Sequence, residues 1–175
     1  MNDPRRQKRP ARKGPGPAPS ADGHKTLYSL SEDETFEIGS ALGRGLRPGA
    51  LILLQGELGL GKTVLARGIA AGLGISPDEV SSPSFTLVHE YRGGRLPLFH
   101  IDLYRVERIE EELPALGIED ILSGGGVAVV EWGERLPPYL RRGAIVVRFV
   151  DLRDGCRRIE VVPEPEKRTR PFGDA

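Results

Sequence analysis

Residues Gly56-Glu57-Leu58-Gly59-Leu60-Gly61-Lys62-Thr63 follow the pattern G-x-x-x-x-G-K-[ST]. Each residue type answers a demand of phosphate binding. The glycines reach backbone angles closed to other residues, so successive amides can turn inward and form a nest for an anion. The positive end of a helix starting here adds to the attraction. Lys62 is a cation long enough to reach β- and γ-phosphates, and the Thr63 hydroxyl is a ligand for Mg²⁺. Lysine is scarce in this chain: after residue 25 only Lys62 and Lys167 occur.

A phosphate loop of this kind needs a carboxylate near the cation, at the end of a neighbouring strand. Two candidate strands end in an acid. Val127–Val130 runs into Glu131, then Trp132, and is the more continuously apolar, so Glu131 is expected as the second metal anchor. Phe99–Ile101 runs into Asp102. That carboxylate either positions the attacking water or organises the metal shell, or else it caps the next helix or pairs with Arg105. His100 is expected to pack in or beside the sheet. Ser81-Ser82-Pro83-Ser84-Phe85-Thr86 lies where phosphate-loop enzymes often carry a switch, and it also reads as an ordinary connection.

The elements that must hold these residues alternate along the chain. Ser31 followed by Glu34 is a capping box for a helix with Thr35, Phe36, Ile38, Leu42 and Leu46 on its apolar side. Ala50–Gln55 predicts a buried strand and Thr63–Leu73 a helix stopped at Gly74. Phe85–Tyr91 and Leu96–Ile101 predict a hairpin about Arg92–Arg95. Residues 107–122 are helical in part, broken at Pro114 and Gly117. Val127–Glu131 is a further buried strand. Ala144–Val150 and Arg157–Val162 predict an antiparallel pair about Asp154-Gly155. The expected class is α/β, a P-loop NTPase-like sandwich with a central, mostly parallel sheet and an antiparallel C-terminal hairpin.

Length and charge set the outer bounds. The 175 residues fit one domain, expected over residues 26–163. The longest apolar run, Ala50–Leu54, is far short of the roughly 18 residues of a membrane span. The single cysteine, Cys156, excludes an internal disulfide framework and a cysteine zinc cluster. Zero net charge conceals an asymmetry. Residues 1–25 hold seven basic and two acidic residues, so the remaining 150 carry a surplus of five negative charges. Five prolines, three glycines and no Val, Ile, Leu or Phe mark residues 1–25 as a disordered basic tail. That tail is a solvated extension or a loose electrostatic contact with RNA, and is no secretory signal. A flexible tail is expected again over 164–175. The acidic body argues against a direct RNA-binding face.

The segments GELGLGKTVLARGIAAGLGI, SSPSFTLVHEY, FHIDLYRV, EELPALGIEDIL and VAVVEW, in this order and spacing, resemble the bacterial tRNA threonylcarbamoyladenosine biosynthesis ATPase family, TsaE (also YjeE). The resemblance covers roughly residues 30–162. It implies Mg²⁺-dependent ATP hydrolysis in the cytoplasm. It also implies partner proteins of the TsaD and TsaB type that place a threonylcarbamoyl group on adenosine 37 of tRNAs reading ANN codons, with tRNA met through that assembly and no membrane involved. Carried over residue by residue, it implies Leu58, Gly59, Leu60, Gly61, Lys62 and Thr63 for nucleotide and Thr63 and Glu131 for the metal. Asp102 is implied for hydrolysis, with Lys62 and Glu131 as its companions in catalysis. Glu32, Thr35 and Cys156–Arg157 are implied at the adenine end, and Trp132 beside the nucleotide. The chain departs from the family in its basic tail, in Gly133-Glu134 after the tryptophan, and in a lengthened acidic stretch at 107–113. No arginine is placed by sequence as an internal finger, so a slow isolated ATPase is expected. A P-loop small-molecule kinase and a nucleotide-gated interaction module are the rival readings.

Overall fold

The structure, a computed structural model, describes residues 23–153 and 155–163. Residues 1–22 of the tail expected over 1–25, the tail expected over 164–175, and Asp154 of the predicted turn lie outside them. Lys25, the last residue of the expected tail, opens an edge strand, β1 (Lys25–Ser29).

Seven strands make one sheet in the order β1-β7-β6-β2-β5-β4-β3. The centre is parallel: β6 (Ile145–Asp151), β2 (Leu51–Gln55), β5 (Val127–Glu131) and β4 (Leu98–Asp102) run the same way. Antiparallel pairs close both flanks: β7 (Arg157–Pro163) and β1 on one side, β3 (Val88–Tyr91) on the other. The apolar runs explain the order. Ile52, Leu53 and Leu54 of β2 and Val127–Val130 of β5 are wholly buried, as strands covered on both faces must be. Each buried Val, Leu or Ile among them contributes about 1.5–3 kcal/mol by leaving water.

One face carries α1 (Glu32–Gly45) and α2 (Lys62–Gly72); the other carries α3 (Ile109–Glu112), a 3-10 turn at Leu113–Leu116 and α4 (Ile118–Ser123). The breaks at Pro114 and Gly117 fall where the sequence puts them, with Gly117 left-handed at φ 61°. The capping box forms with a variation. Ser31 Oγ accepts from the Glu34 amide at 3.1 Å, while the Glu34 carboxylate takes the amide of Leu30, at 2.7 Å.

One expectation is extended and one is corrected. Thr35 and Leu46 are buried and Ile38 and Leu42 pack on the core, as the spacing predicts, but the buried positions within α1 also include Gly39, Ser40 and Gly43, which periodicity does not mark. Gly39 lies against Gly68, and Gly43 against Ile69, so closely that a Cβ on Gly39 would stand 2.3 Å from the Leu65 carbonyl oxygen. The strand predicted from Phe85 begins only at Val88. Leu87 has φ 65° and its amide bonds the Pro83 carbonyl at 2.7 Å, so residues 83–87 close a turn and leave Phe85 in solvent.

Candidate functional site

The carboxyl ends of the parallel strands β2, β4 and β5 meet the amino end of α2. Between β2 and α2, Gly56, Gly59 and Gly61 all have positive φ, at 138°, 81° and 96°. Gly61 stands at the position before α2 and accepts its first helical bond, from the Leu65 amide at 3.0 Å. A side chain at Gly61 is disfavoured by its left-handed backbone, and it would also displace the Arg157 guanidinium, which lies 2.8 Å from where a Cβ would sit. Thr35 packs on the same glycine from α1, with its hydroxyl turned to Ser29 Oγ at 2.8 Å and the Ser31 carbonyl.

Lys62 is buried. Its ammonium donates to the carbonyls of Gly56 and Glu57, both at 2.7 Å, and lies 4.4 Å from the centre of the Trp132 ring. Burial lowers its pKa from the usual lysine value, and Glu131, Glu134 and Asp102 partly oppose that shift. Thr63, one residue into α2, donates its hydroxyl to Glu131 Oε1 at 2.8 Å.

Strand parity delivers the acids. Asp102 and Glu131 are paired across β4 and β5, and alternation puts them on the face that packs Leu98, Val127 and Val129 against α2. Asp102 Oδ2 accepts from Ser82 Oγ (3.1 Å) and Ser84 Oγ (2.8 Å), and Oδ1 accepts from the Tyr104 amide at 2.9 Å. The carboxylate therefore ties the serine segment to the strand end and also caps the turn after β4. It does not meet Arg105, whose guanidinium stacks on Phe85 at 4.5 Å. Trp132 follows with φ 58°, a left-handed turn that brings its ring beside Lys62 and against Tyr104, with centroids 5.0 Å apart.

These groups line one cavity of about 260 Å³, with Glu32, Leu58, Gly59, Gly61, Lys62, Thr63, Ser82, Ser84, Asp102, Tyr104, Glu131 and Trp132 on its walls. On the other side of Gly59 a second space of about 240 Å³ is lined by Leu60, Asp151, Arg153, Gly155, Cys156 and Arg157. A larger cavity of about 700 Å³ between α1 and the β1/β7/β6 side of the sheet is lined mainly by aliphatic carbon. It lacks the amides, hydroxyls and paired carboxylates that phosphate chemistry needs.

Each residue singled out from sequence has a definite place here. Glu32, Lys62, Thr63, Asp102, Glu131 and Trp132 converge on the first cavity. Leu58 points into solvent, and Leu60 packs its side chain toward the core, so these two lend backbone and not side-chain chemistry. Arg157, assigned by resemblance to a nucleobase end, reaches the loop itself through its contact with Gly61 and a long bond to the Leu60 carbonyl at 3.4 Å. His100 is packed in the sheet as expected. Its Nε2 also lies 2.9 Å from Glu131 Oε1, a contact that sequence reading missed. The signal for it was parity: His100 precedes Asp102 by two and must share its face. The donor set suits a magnesium nucleotide. A hydroxyl and a carboxylate stand beside a buried ammonium and a turn whose glycines allow its amides to face a phosphate.

Comparison with known proteins bears on the same residues. The model of the family described as threonylcarbamoyl adenosine biosynthesis protein TsaE matches residues 29–159. A TsaE protein from Nostoc is 38% identical over 141 residues, spanning 78% of this chain and 85% of the relative. One from Treponema pallidum is 41% identical over 133 residues, spanning 76% and 96%. The crystal structure of Bacillus subtilis YdiB superposes with a TM-score of 0.61 at 29% identity, covering 80% of this chain and 85% of that one.

Proposed function

The chain belongs to the TsaE family of threonylcarbamoyladenosine biosynthesis proteins, and from that premise we propose that it is a magnesium-dependent P-loop ATPase of tRNA modification. It acts in the cytoplasm with partners of the TsaD and TsaB type, which carry out threonylcarbamoyl transfer to adenosine 37 of tRNAs reading ANN codons. One observation carries the reading. Lys62 and Thr63, at the amino end of α2, face Asp102 and Glu131 at the ends of two adjoining parallel strands, inside a single cavity.

Each residue then has a role. The loop amides and Lys62 hold the phosphates, and the ammonium exchanges the carbonyls of Gly56 and Glu57 for phosphate oxygens. Thr63 and Glu131 hold Mg²⁺, directly or through water. A bound Mg²⁺ supplies charge neutralisation at the β- and γ-oxygens. Asp102 orients the attacking water. Both of its oxygens are engaged in this conformation, by Ser82, Ser84 and the Tyr104 amide. Freeing Oδ2 requires the serine segment to move, which supports slow turnover by the isolated chain and acceleration by a partner that reorders the segment.

Lys62→Ala tests the reading. ATP affinity, measured by calorimetry, is expected to fall by about 100-fold, the scale of charge-assisted hydrogen bonds lost. Retained affinity would overturn the phosphate-loop assignment. Equal turnover with and without the partner proteins would overturn the requirement for them.

A further inference from the structure

His100 is a buried imidazole outside the set of groups assigned to nucleotide, metal or water. It lies at the middle of β4, opposite Val129 of β5, with no exposed surface. Nε2 is 2.9 Å from Glu131 Oε1, and Nδ1 is buried with no hydrogen-bond partner among the described residues. A carboxylate that is to hold a metal only accepts, so in that role the hydrogen of this bond lies on Nε2. The same oxygen, Oε1, also accepts from Thr63. Two donors, one from the strand and one from the helix, therefore pin Oε1 from different sides. A four-bond glutamate side chain held at one oxygen keeps a fixed direction for the other.

We propose that His100 is a positioning residue for the magnesium side of the site: its Nε2–H fixes the Glu131 carboxylate so that Oε2 is presented to the cation beside Thr63. This rests on the assignment of Glu131 to the metal. Outer-shell partners of metal ligands act in this way, by orienting the ligand.

The test is a titration of MgCl₂ at fixed non-hydrolysable ATP analogue. It is read by the fluorescence of Trp132, the single tryptophan, which adjoins Lys62. His100→Leu is expected to shift the Mg²⁺ midpoint up by about 10–100-fold, with the metal-free affinity for the analogue moving by no more than about twofold. His100→Gln, whose amide nitrogen occupies the Nε2 position, is expected to restore the midpoint, and His100→Asn, whose amide reaches only the Nδ1 position, is not. A midpoint in His100→Leu equal to that of the wild type overturns the proposal. Should the leucine variant fail to fold, the Gln and Asn variants decide, and identical midpoints for those two also overturn it. A wild-type protein with no Mg²⁺-dependent signal overturns the metal assignment and this proposal together.

Discussion

The two faces of the sheet are covered by different means. On one, α1 and α2 meet through glycine: Gly39 and Gly43 face Gly68 and Gly72, and backbone lies on backbone. On the other, short helical pieces lay Leu113 and Ile118 over Leu51, Leu53, Ile101 and Val130, an ordinary aliphatic layer. The exception on that second face is informative. Gly133 sits so close to β2 that a Cβ would be 2.6 Å from Leu53 Cβ, and Gly133 directly follows Glu131 and Trp132 of the site. These contacts without side chains adjoin the elements that carry Lys62, Thr63, Glu131 and Trp132, although Gly94 packs as closely on the Leu73 carbonyl away from the site. A layer of flexible aliphatics can shift by a few tenths of an ångström and repack, whereas two backbones in contact cannot. The helix that carries Lys62 and Thr63 is located by the less forgiving of the two contacts.

Gly68→Ala should break this contrast most sharply. The new methyl would stand 2.2 Å from the Phe36 carbonyl oxygen and 3.0 Å from Gly39 Cα, with no side chain able to turn aside. The expected loss, read from urea unfolding, is above about 3 kcal/mol, the upper end of overpacking costs. ATP affinity should fall with it, because α2 moves. Gly45→Ala on α1, with nothing within 4 Å, is the control and should be neutral or stabilising by up to about 1 kcal/mol. A Gly68→Ala protein as stable as the wild type would remove the distinction between the faces.

The aliphatic face gives the next largest effect. Ile118 is 1% exposed at the start of α4, and Ile118→Ala should cost about 2–4 kcal/mol through lost burial and a cavity. Unlike Gly68→Ala, it should leave ATP affinity in the folded protein unchanged, since the aliphatic layer stands apart from α2. Calorimetry on both variants at one temperature sharpens the comparison. Equal losses of affinity would mean that the site is held as firmly from both sides.

Much of this is legible in the sequence alone. The phosphate loop is local: eight consecutive residues specify a turn, a cation and a hydroxyl, and no distant partner is needed to recognise them. Continuous apolar runs such as Leu51–Leu54 and Val127–Val130 announce central strands because both of their faces are buried. Glu131 could be placed for the same reason. The losses occurred where meaning depends on pairing. Periodicity marks large apolar residues, so it finds Ile38 and Leu42 of α1, which do pack on the core, and passes over the glycines that make the tightest contact. The extended start assigned to Phe85 failed because Ser82 and Ser84 bond Asp102, some twenty residues later, and bend the chain away from the ladder. His100 read as sheet packing because its partner Glu131 lies 31 positions on.

The smallest expected effect on stability belongs to the residue with the largest effect on binding. Lys62 is 4% exposed, and burial lowers its pKa while Glu131, Glu134 and Asp102 pull the other way. The sign follows from proton counting. Between the lowered native value and the usual 10.5, the unfolded chain binds more protons than the folded one, so stability rises with pH across that window. Below the window the cost of burying the charge is present in full. Lys62→Met keeps the length and apolar stem, removes that cost, and gives up the bonds to the Gly56 and Glu57 carbonyls and the contact with Trp132. The two terms are of similar size, so stability near neutral pH should stay within about 1 kcal/mol of the wild type. The difference should then move in favour of the wild type as pH climbs toward 10.5, measured by urea unfolding over that range. A loss above about 3 kcal/mol at neutral pH would place Lys62 in the scaffold. The ammonium would then be holding the loop together, and the division between glycines that locate the helix and polar groups that serve the ligand would no longer stand.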